Sequence, residues 1–252
     1  MKYIRFSVDG QEKFGKLSGN EIIELKENFI DNQTDETGQV FSLQDVKVLP
    51  PVDPGKVIII GLNYKKHAEE MAMELPDEPM MFMVSPTSII GHNDQIKIPF
   101  PEHNTHYEAE LTIVIGKDAH HVSEKNALDY VFGYTIANDV SDRDLQAKDG
   151  QFTRAKSYDT FKPLGPVVST GIDPNNLSIR LKQNGVLKQN SNTNDFVFPV
   201  EHIVQEVSKV MTLHPGDIIL TGTPSGVDSM NLGDIIEIEI EGIGKLVNQV
   251  AE

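Results

Sequence analysis

Among its 252 residues the chain has no cysteine. That absence excludes disulfides, thiolate metal sites and a cysteine nucleophile, and it leaves the redox compartment undetermined. Basic residues are scarce: 22 Lys plus Arg stand against 38 Asp plus Glu, a formal net charge of −16. A surface that acidic repels phosphate backbones, so nucleic acids and anionic membranes are poor partners. It also means that an anionic substrate needs a local positive centre, such as a metal ion. No segment approaches the roughly 20 apolar residues of a transmembrane helix. The opening MKYIRFSVDGQEKFGKL alternates polar and apolar residues and lacks the apolar centre of a signal peptide, which points to a cytoplasmic protein. What is present is ordinary. Hydrophobic residues at 38% and charged residues at 24% describe a folded chain rather than a disordered one.

The organisation is strand-rich. Ile4, Phe6 and Val8 alternate with polar neighbours, and short strands follow near Glu12–Lys16 and Glu21–Leu25. These form a small N-terminal β unit over residues 1–50. The proline-rich stretch Leu49–Gly55 suits neither a helix nor a central strand and marks a boundary, with a second domain over 54–252. Strands are predicted at 56–61, 80–84, 95–99, 107–116, 132–138, 217–222, 234–240 and 245–250, with a hairpin at 178–189 turning on Asn184-Gly185. Helices are predicted at 63–73, from a Ser123 cap to about Val131, and at 199–211 with proline at its start. Residues 141–163 read as a long polar, irregular connection, of the kind that often carries function. The class is α+β.

The chemistry concentrates in Tyr107-Glu108-Ala109-Glu110-Leu111. In a strand Glu108 and Glu110 share a face about 7 Å apart at the backbone, while Leu111, Ile113 and Ile115 face a core. Two carboxylates side by side repel unless a cation lies between them, and a hard divalent ion fits. A solvated strand face is the plainer alternative. Asp139, at the end of the predicted 132–138 strand, offers a third carboxylate, with Asp142 and Asp144 as competitors. His67 and Glu70 lie three apart on a predicted helix, where a carboxylate-oriented imidazole makes a usable general base. Gly61 before that helix and the Pro/Glu-rich stretch 74–79 after it would let it move as a lid. Lys156, in the polar connection, suits a substrate carboxylate. Leu220-Thr221-Gly222-Thr223-Pro224 ends a strand in a turn and lacks the ending of a phosphate loop, leaving Thr223 as a possible anion contact. His103 and His106 flank the Glu pair and read as loop residues.

Taken together these pieces resemble the fumarylacetoacetate hydrolase family. The resemblance rests on Gly61-Leu62-Asn63-Tyr64 with His67 and Glu70, Tyr107–Leu111, Asn138–Asp144, Ala155-Lys156-Ser157, Gly165-Pro166 and Leu220–Pro224, in order across residues 54–252. It implies a mixed β-roll with flanking helices, assembled as a homodimer. It implies Glu108, Glu110 and Asp139 as ligands of Mg²⁺ or Mn²⁺, His67 and Glu70 as the pair that activates water, and Lys156, Arg143, Gln146 and Thr223 around the substrate.

The implied reaction is hydrolysis of a C–C bond in a 2,4-dioxo acid, an acylpyruvate or a fumarylacetoacetate-like compound, as in the catabolism of aromatic compounds. The metal acts as Lewis acid, His67 takes a proton from water, and pyruvate enolate leaves while Lys156 holds the anion. Oxaloacetate decarboxylation and isomerisation of 2-hydroxyhepta-2,4-diene-1,7-dioate reach the same enolate, so a shared fold does not choose among them. Hydrolysis ranks first because it most needs the His67–Glu70 pair. A non-catalytic divalent-metal-binding protein is the remaining alternative, and it gives that pair no purpose.

Overall fold

The structure is a computed structural model that describes residues 1–31 and 34–252. Two sheets stack around one large apolar core. The larger runs, edge to edge, through Glu36–Ser42, Glu21–Leu25, Gln11–Ser18, Lys2–Val8, Lys162–Ser169, Val131–Asn138, Ala109–Ile115, Ile218–Leu220, Val57–Gly61 and Met80–Val84. The smaller runs through Val186–Asn192, Ser178–Gln183, Ile235–Ile240, Gly244–Ala251 and Gln95–Lys97. Most neighbours are antiparallel, but Ile218–Leu220 lies parallel to Val57–Gly61, and Gly244–Ala251 parallel to Gln95–Lys97. The architecture is the expected α+β mixed roll. The N-terminal strands are not set apart from it: Lys2 and Tyr3 pair with Ser169 and Val168, so they extend the main sheet. Among the described residues no helix is long and apolar enough to cross a membrane.

The strand Ala109–Ile115 lies deep in this sheet, and all seven of its residues are buried. Ala109, Leu111, Ile113 and Ile115 enter the core shared with the smaller sheet, alongside Ile179, Ile238 and Leu246. Val114, on the opposite face, packs in a second core with Ile59, Leu220, Phe29 and Val52. A strand covered on both sides exchanges alternation for continuous burial. For Glu108 and Glu110 the solvated-face alternative therefore fails.

Among the described residues four α-helices lie outside the sheets: α1 (Lys65–Glu70), α2 (Arg143–Asp149), α3 (Thr153–Lys156) and α4 (Val200–Val210). Helix α1 is shorter than the predicted 63–73. Asn63 is held by bonds to Phe198 and Thr221, Tyr64 is extended, and Ala72 takes φ 51°. From Ser123 onward the chain forms a 3₁₀ helix, Glu124–Tyr130, and the serine side chain makes no capping bond. Pro199 sits just before α4 as its cap, not inside its first turn. The largest departure is at 141–163, which is mostly ordered. Asp142 caps α2 through its bond from Leu145 N, 3.0 Å, and Gly150 ends that helix at φ 64°, a left-handed position glycine takes freely. The edge strand Glu36–Ser42 escapes periodicity because five of its seven residues are exposed. At the hairpin, Asn184 and Gly185 both take positive φ, as a two-residue turn of this type requires.

Because Leu111 is fully buried between the sheets, Leu111→Ala should cost about 2–5 kcal/mol of stability through lost burial and a residual cavity. Urea unfolding measures this; a loss below about 1 kcal/mol would mean that the two sheets do not pack as described.

Candidate active site

The central pairing of the main sheet brings the acids together. Strand Ala109–Ile115 runs antiparallel to Val131–Asn138 with Ala109 opposite Asn138. This register sets Glu108, just before one strand, beside Asp139, just after the other. Two bonds lock the junction: Glu108 N–H donates to Asn138 Oδ1 at 2.9 Å, and Asp139 N–H donates to the Glu108 carbonyl at 2.9 Å. Glu110, one pleat further in, turns to the same face. One carboxylate oxygen from each of Glu108, Glu110 and Asp139 lies within 4.8 Å of the others, and all three residues are buried. Asp142 and Asp144 instead group with His103 on the far side of the α2 entry, so Asp139 is the third acid of the cluster.

Three cations answer these charges. Arg143 pairs with Glu108 Oε1 and donates to Gln146 Oε1 at 2.8 Å. Lys156 donates to Glu108 Oε2 at 2.7 Å and pairs with Asp139 Oδ2. Lys162 lies 2.8 Å from Asp139 Oδ1. Burial alone would raise the pKa of Glu108, but the Arg143 and Lys156 charges overcome it and hold this carboxyl well below the usual range. Glu110 differs. Its Oε2 accepts a 2.7 Å bond from Gly222 N–H, yet among the described residues it has no ion-pair partner. Burial, with Asp139 and Glu108 nearby, pushes its pKa well up. Gly222 allows this approach because its φ is +94° and an added Cβ would stand 2.9 Å from Asn63 Cβ.

A buried all-oxygen donor set with one carboxylate left unneutralised suits a hard divalent ion, and these residues fit Mg²⁺ or Mn²⁺. Oxygen donors alone do not distinguish the two.

Over the cluster lies a cavity of about 570 Å³. His67, Arg143, Gln146, Lys156 and Thr223 line it together with the three acids, so the structure gathers the residues that the sequence scatters over 156 positions. Glu70 stands behind His67: its Oε2 meets Nδ1 at 2.9 Å, and it also accepts from Gly226 N–H at 3.1 Å. An imidazole that donates Nδ1–H to Glu70 presents the lone pair of Nε2 on its other side. Met71, Met73, Met80 and Phe82 supply an apolar wall.

Lys156 lines that cavity. It is bonded into the carboxylate cluster, with its ammonium also 5.7 Å from the Phe82 ring centre. Sequence reading set His106 aside as a loop residue and passed over Gln189 and Lys162. His106 lines the cavity, with a buried Nδ1 that has no partner among the described residues, and burial followed by the nearby Arg143 charge lowers its pKa. Gln189 ties Ala109 N–H to Thr223 and to the Pro224 carbonyl through three bonds of 2.7–3.0 Å. Lys162 is a charged residue in an otherwise buried strand, and Phe161-Lys162-Pro163-Leu164 carried that signal in plain view.

The Glu110 environment has a consequence for stability. Between its ordinary value of 4.5 and its raised native pKa, the folded protein binds a proton that the unfolded chain has released. The contribution is therefore present at acid pH and is lost as pH rises through that interval. In chelator, Glu110→Gln should be more stable than the parent at pH 8, with the difference vanishing below pH 4.5. Added Mn²⁺ should raise the melting temperature of the parent and much less that of the variant. Thermal melts across pH, with and without Mn²⁺, check both signs.

Comparison with known proteins agrees with this geometry. The family model described as fumarylacetoacetate (FAA) hydrolase, C-terminal, matches residues 56–251, and a second, described as Rv2993c-like, N-terminal, matches residues 1–51. The oxaloacetate tautomerase fahd2, mitochondrial, of Xenopus laevis is 42% identical over 86% of this chain and 72% of its own. The crystal structure of 2-hydroxyhepta-2,4-diene-1,7-dioate isomerase from Mycobacterium marinum superposes with a TM-score of 0.92 at 40% identity, covering 100% of this chain and 98% of that one. Maleylpyruvate hydrolase from Sphingobium, solved with manganese(II) and pyruvate, gives 0.85 at 29% identity, covering 100% and 99%. With its register, its buried acids and these matches in agreement, the chain belongs to the fumarylacetoacetate hydrolase family.

Proposed function

We propose that this protein is a divalent-metal-dependent enzyme that moves a proton at the carbon next to the 2-oxo group of a small oxo acid, interconverting keto and enol forms of an oxaloacetate-type substrate. One observation carries the proposal: His67 lines the same cavity as the three carboxylates, and Glu70, behind it, meets its Nδ1 at 2.9 Å. The 42% identity to an oxaloacetate tautomerase supports this choice among the family's reactions.

Glu108, Glu110 and Asp139 would hold the cation, whose Lewis acidity would make a neighbouring 2-oxo group more electron-poor and the C–H beside it more acidic. In the keto-to-enol direction His67 takes the proton from that carbon and delivers it to the 2-oxygen; in the reverse direction it takes the enol O–H proton and delivers it to the carbon. Glu70 keeps the imidazole in the tautomer that can do so and stabilises the imidazolium once formed. Arg143 and Lys156 present positive charge to the anionic substrate, and Gln146 holds the Arg143 guanidinium in place. Thr223, fixed by Gln189, offers its hydroxyl at the cavity wall.

A second reading is C–C hydrolysis of an acylpyruvate, in which His67 takes its proton from water instead of carbon. The Glu70-oriented imidazole favours it, because water activation needs an oriented base. Decarboxylation of oxaloacetate is a third outcome of the same assay. Mn²⁺-loaded protein is given oxaloacetate in its enol form and, separately, acetylpyruvate. Accelerated loss of enol absorbance without pyruvate is the result expected. Pyruvate from acetylpyruvate would select hydrolysis, pyruvate from oxaloacetate would select decarboxylation, and inertness toward both would overturn the enzymatic reading. His67→Ala should lower the observed rate by about 10²–10⁴-fold, the range for loss of a general base, without loss of Mn²⁺ binding.

A further inference from the structure

Lys162 is a fully buried lysine that the chemistry above does not use. Its ammonium donates to the carbonyls of Lys156 at 2.5 Å, Phe161 at 3.1 Å and Val140 at 3.2 Å, and it stands 2.8 Å from Asp139 Oδ1. These oxygens belong to three separate segments: the turn after Val131–Asn138, the end of α3, and the lysine's own strand. Two of those segments carry Asp139 and Lys156. A buried ammonium is costly to desolvate, and a methionine would fill the same slot without that cost. Its presence is explained by the charge it faces.

We propose that Lys162 is a positioning residue and a built-in counter-cation for the metal centre. Its ammonium stands 2.8 Å from Asp139 Oδ1 while Lys156 pairs with Oδ2, so each oxygen of that carboxylate faces a cation of its own. Lys162 also places a fixed positive charge behind the carboxylates. That charge keeps the acid cluster folded without a metal, and it opposes the binding of a dication. The protein therefore binds its metal more weakly than three buried carboxylates would by themselves, and exchanges it readily. The inference rests on reading the three acids as a cation site, and it is independent of which oxo acid reacts.

The test is calorimetric titration of the metal-free full-length protein with Mn²⁺, for the parent, Lys162→Met and Lys162→Gln, with urea unfolding in chelator alongside. The parent should bind Mn²⁺. Both variants should bind it at least tenfold more tightly and, without metal, unfold at lower urea. A Lys162→Met chain that folds only when Mn²⁺ is supplied also supports the inference, because the ion then takes over the neutralisation. Folded variants with unchanged or weaker Mn²⁺ affinity would overturn it, as would failure of both variants to fold at saturating Mn²⁺. Absence of Mn²⁺ binding by the parent would remove the cation-site reading itself, whatever the variants do.

Discussion

Three buried carboxylates and the charges set against them govern this molecule. Glu108, Glu110 and Asp139 are each at most 5% exposed, and carboxylates so placed destabilise a fold unless cations or hydrogen bonds compensate them. Arg143, Lys156 and Lys162 provide most of the compensation, from α2, α3 and the neighbouring Lys162–Ser169 strand. Among the described residues Glu110 is left with a single backbone bond, and a divalent ion would supply the charge that it lacks. Structural cost and chemical capacity thus have one origin.

The rest of the fold supports that arrangement. The strand bearing the two glutamates is sandwiched by apolar side chains on both faces, so its position is held by packing that has no part in the chemistry. The antiparallel register with Val131–Asn138 brings Asp139 alongside, and one residue of slip would turn the glutamates into the opposite core. Gly222 lets its strand end approach Glu110, and Gln189 fixes the Thr223 turn from the second sheet. The His67–Glu70 helix is attached less firmly. Beyond its own turn it is held by Glu70 to Gly226 and by Lys66 N–H to Asp195, both near the surface. Rigid acids beneath a lightly tethered base suit a site that must admit substrate and then exclude water.

Much of this was legible in the residues because local chemistry declared it. The KVIIIG run, the alternation at Ile4, Phe6 and Val8, and Asn184-Gly185 each report backbone preference within a few positions, and each element lies where expected. Errors fell where tertiary contacts decide. Tyr64 and Ala72 curtail α1 through conformations that no helical period encodes. The 141–163 segment looked irregular because its helices are only seven and four residues long, too short for periodicity, although Asp142 and Gly150 were a readable cap and stop. Polar Glu36–Ser42 gave no apolar signal because it lies at an exposed edge.

For the site the division is similar. Spacing within the sequence determined that Glu108 and Glu110 share a strand face and that His67 and Glu70 share a helix face, since both follow from backbone periodicity over a few residues. Six motifs in order determined the family. Backbone periodicity left Asp139, Asp142 and Asp144 open and the family resemblance alone pointed to Asp139; the tertiary structure decided that it completes the acid cluster, because that depends on the pairing of two strands some thirty residues apart. Only the tertiary structure decided that Lys156 sits among the acids, that His106 reaches the cavity, and that Lys162 stands behind Asp139. The physical reason is the range of the interactions. Backbone propensities act between near neighbours, whereas a buried charge is stabilised by whatever the fold brings to it from elsewhere in the chain.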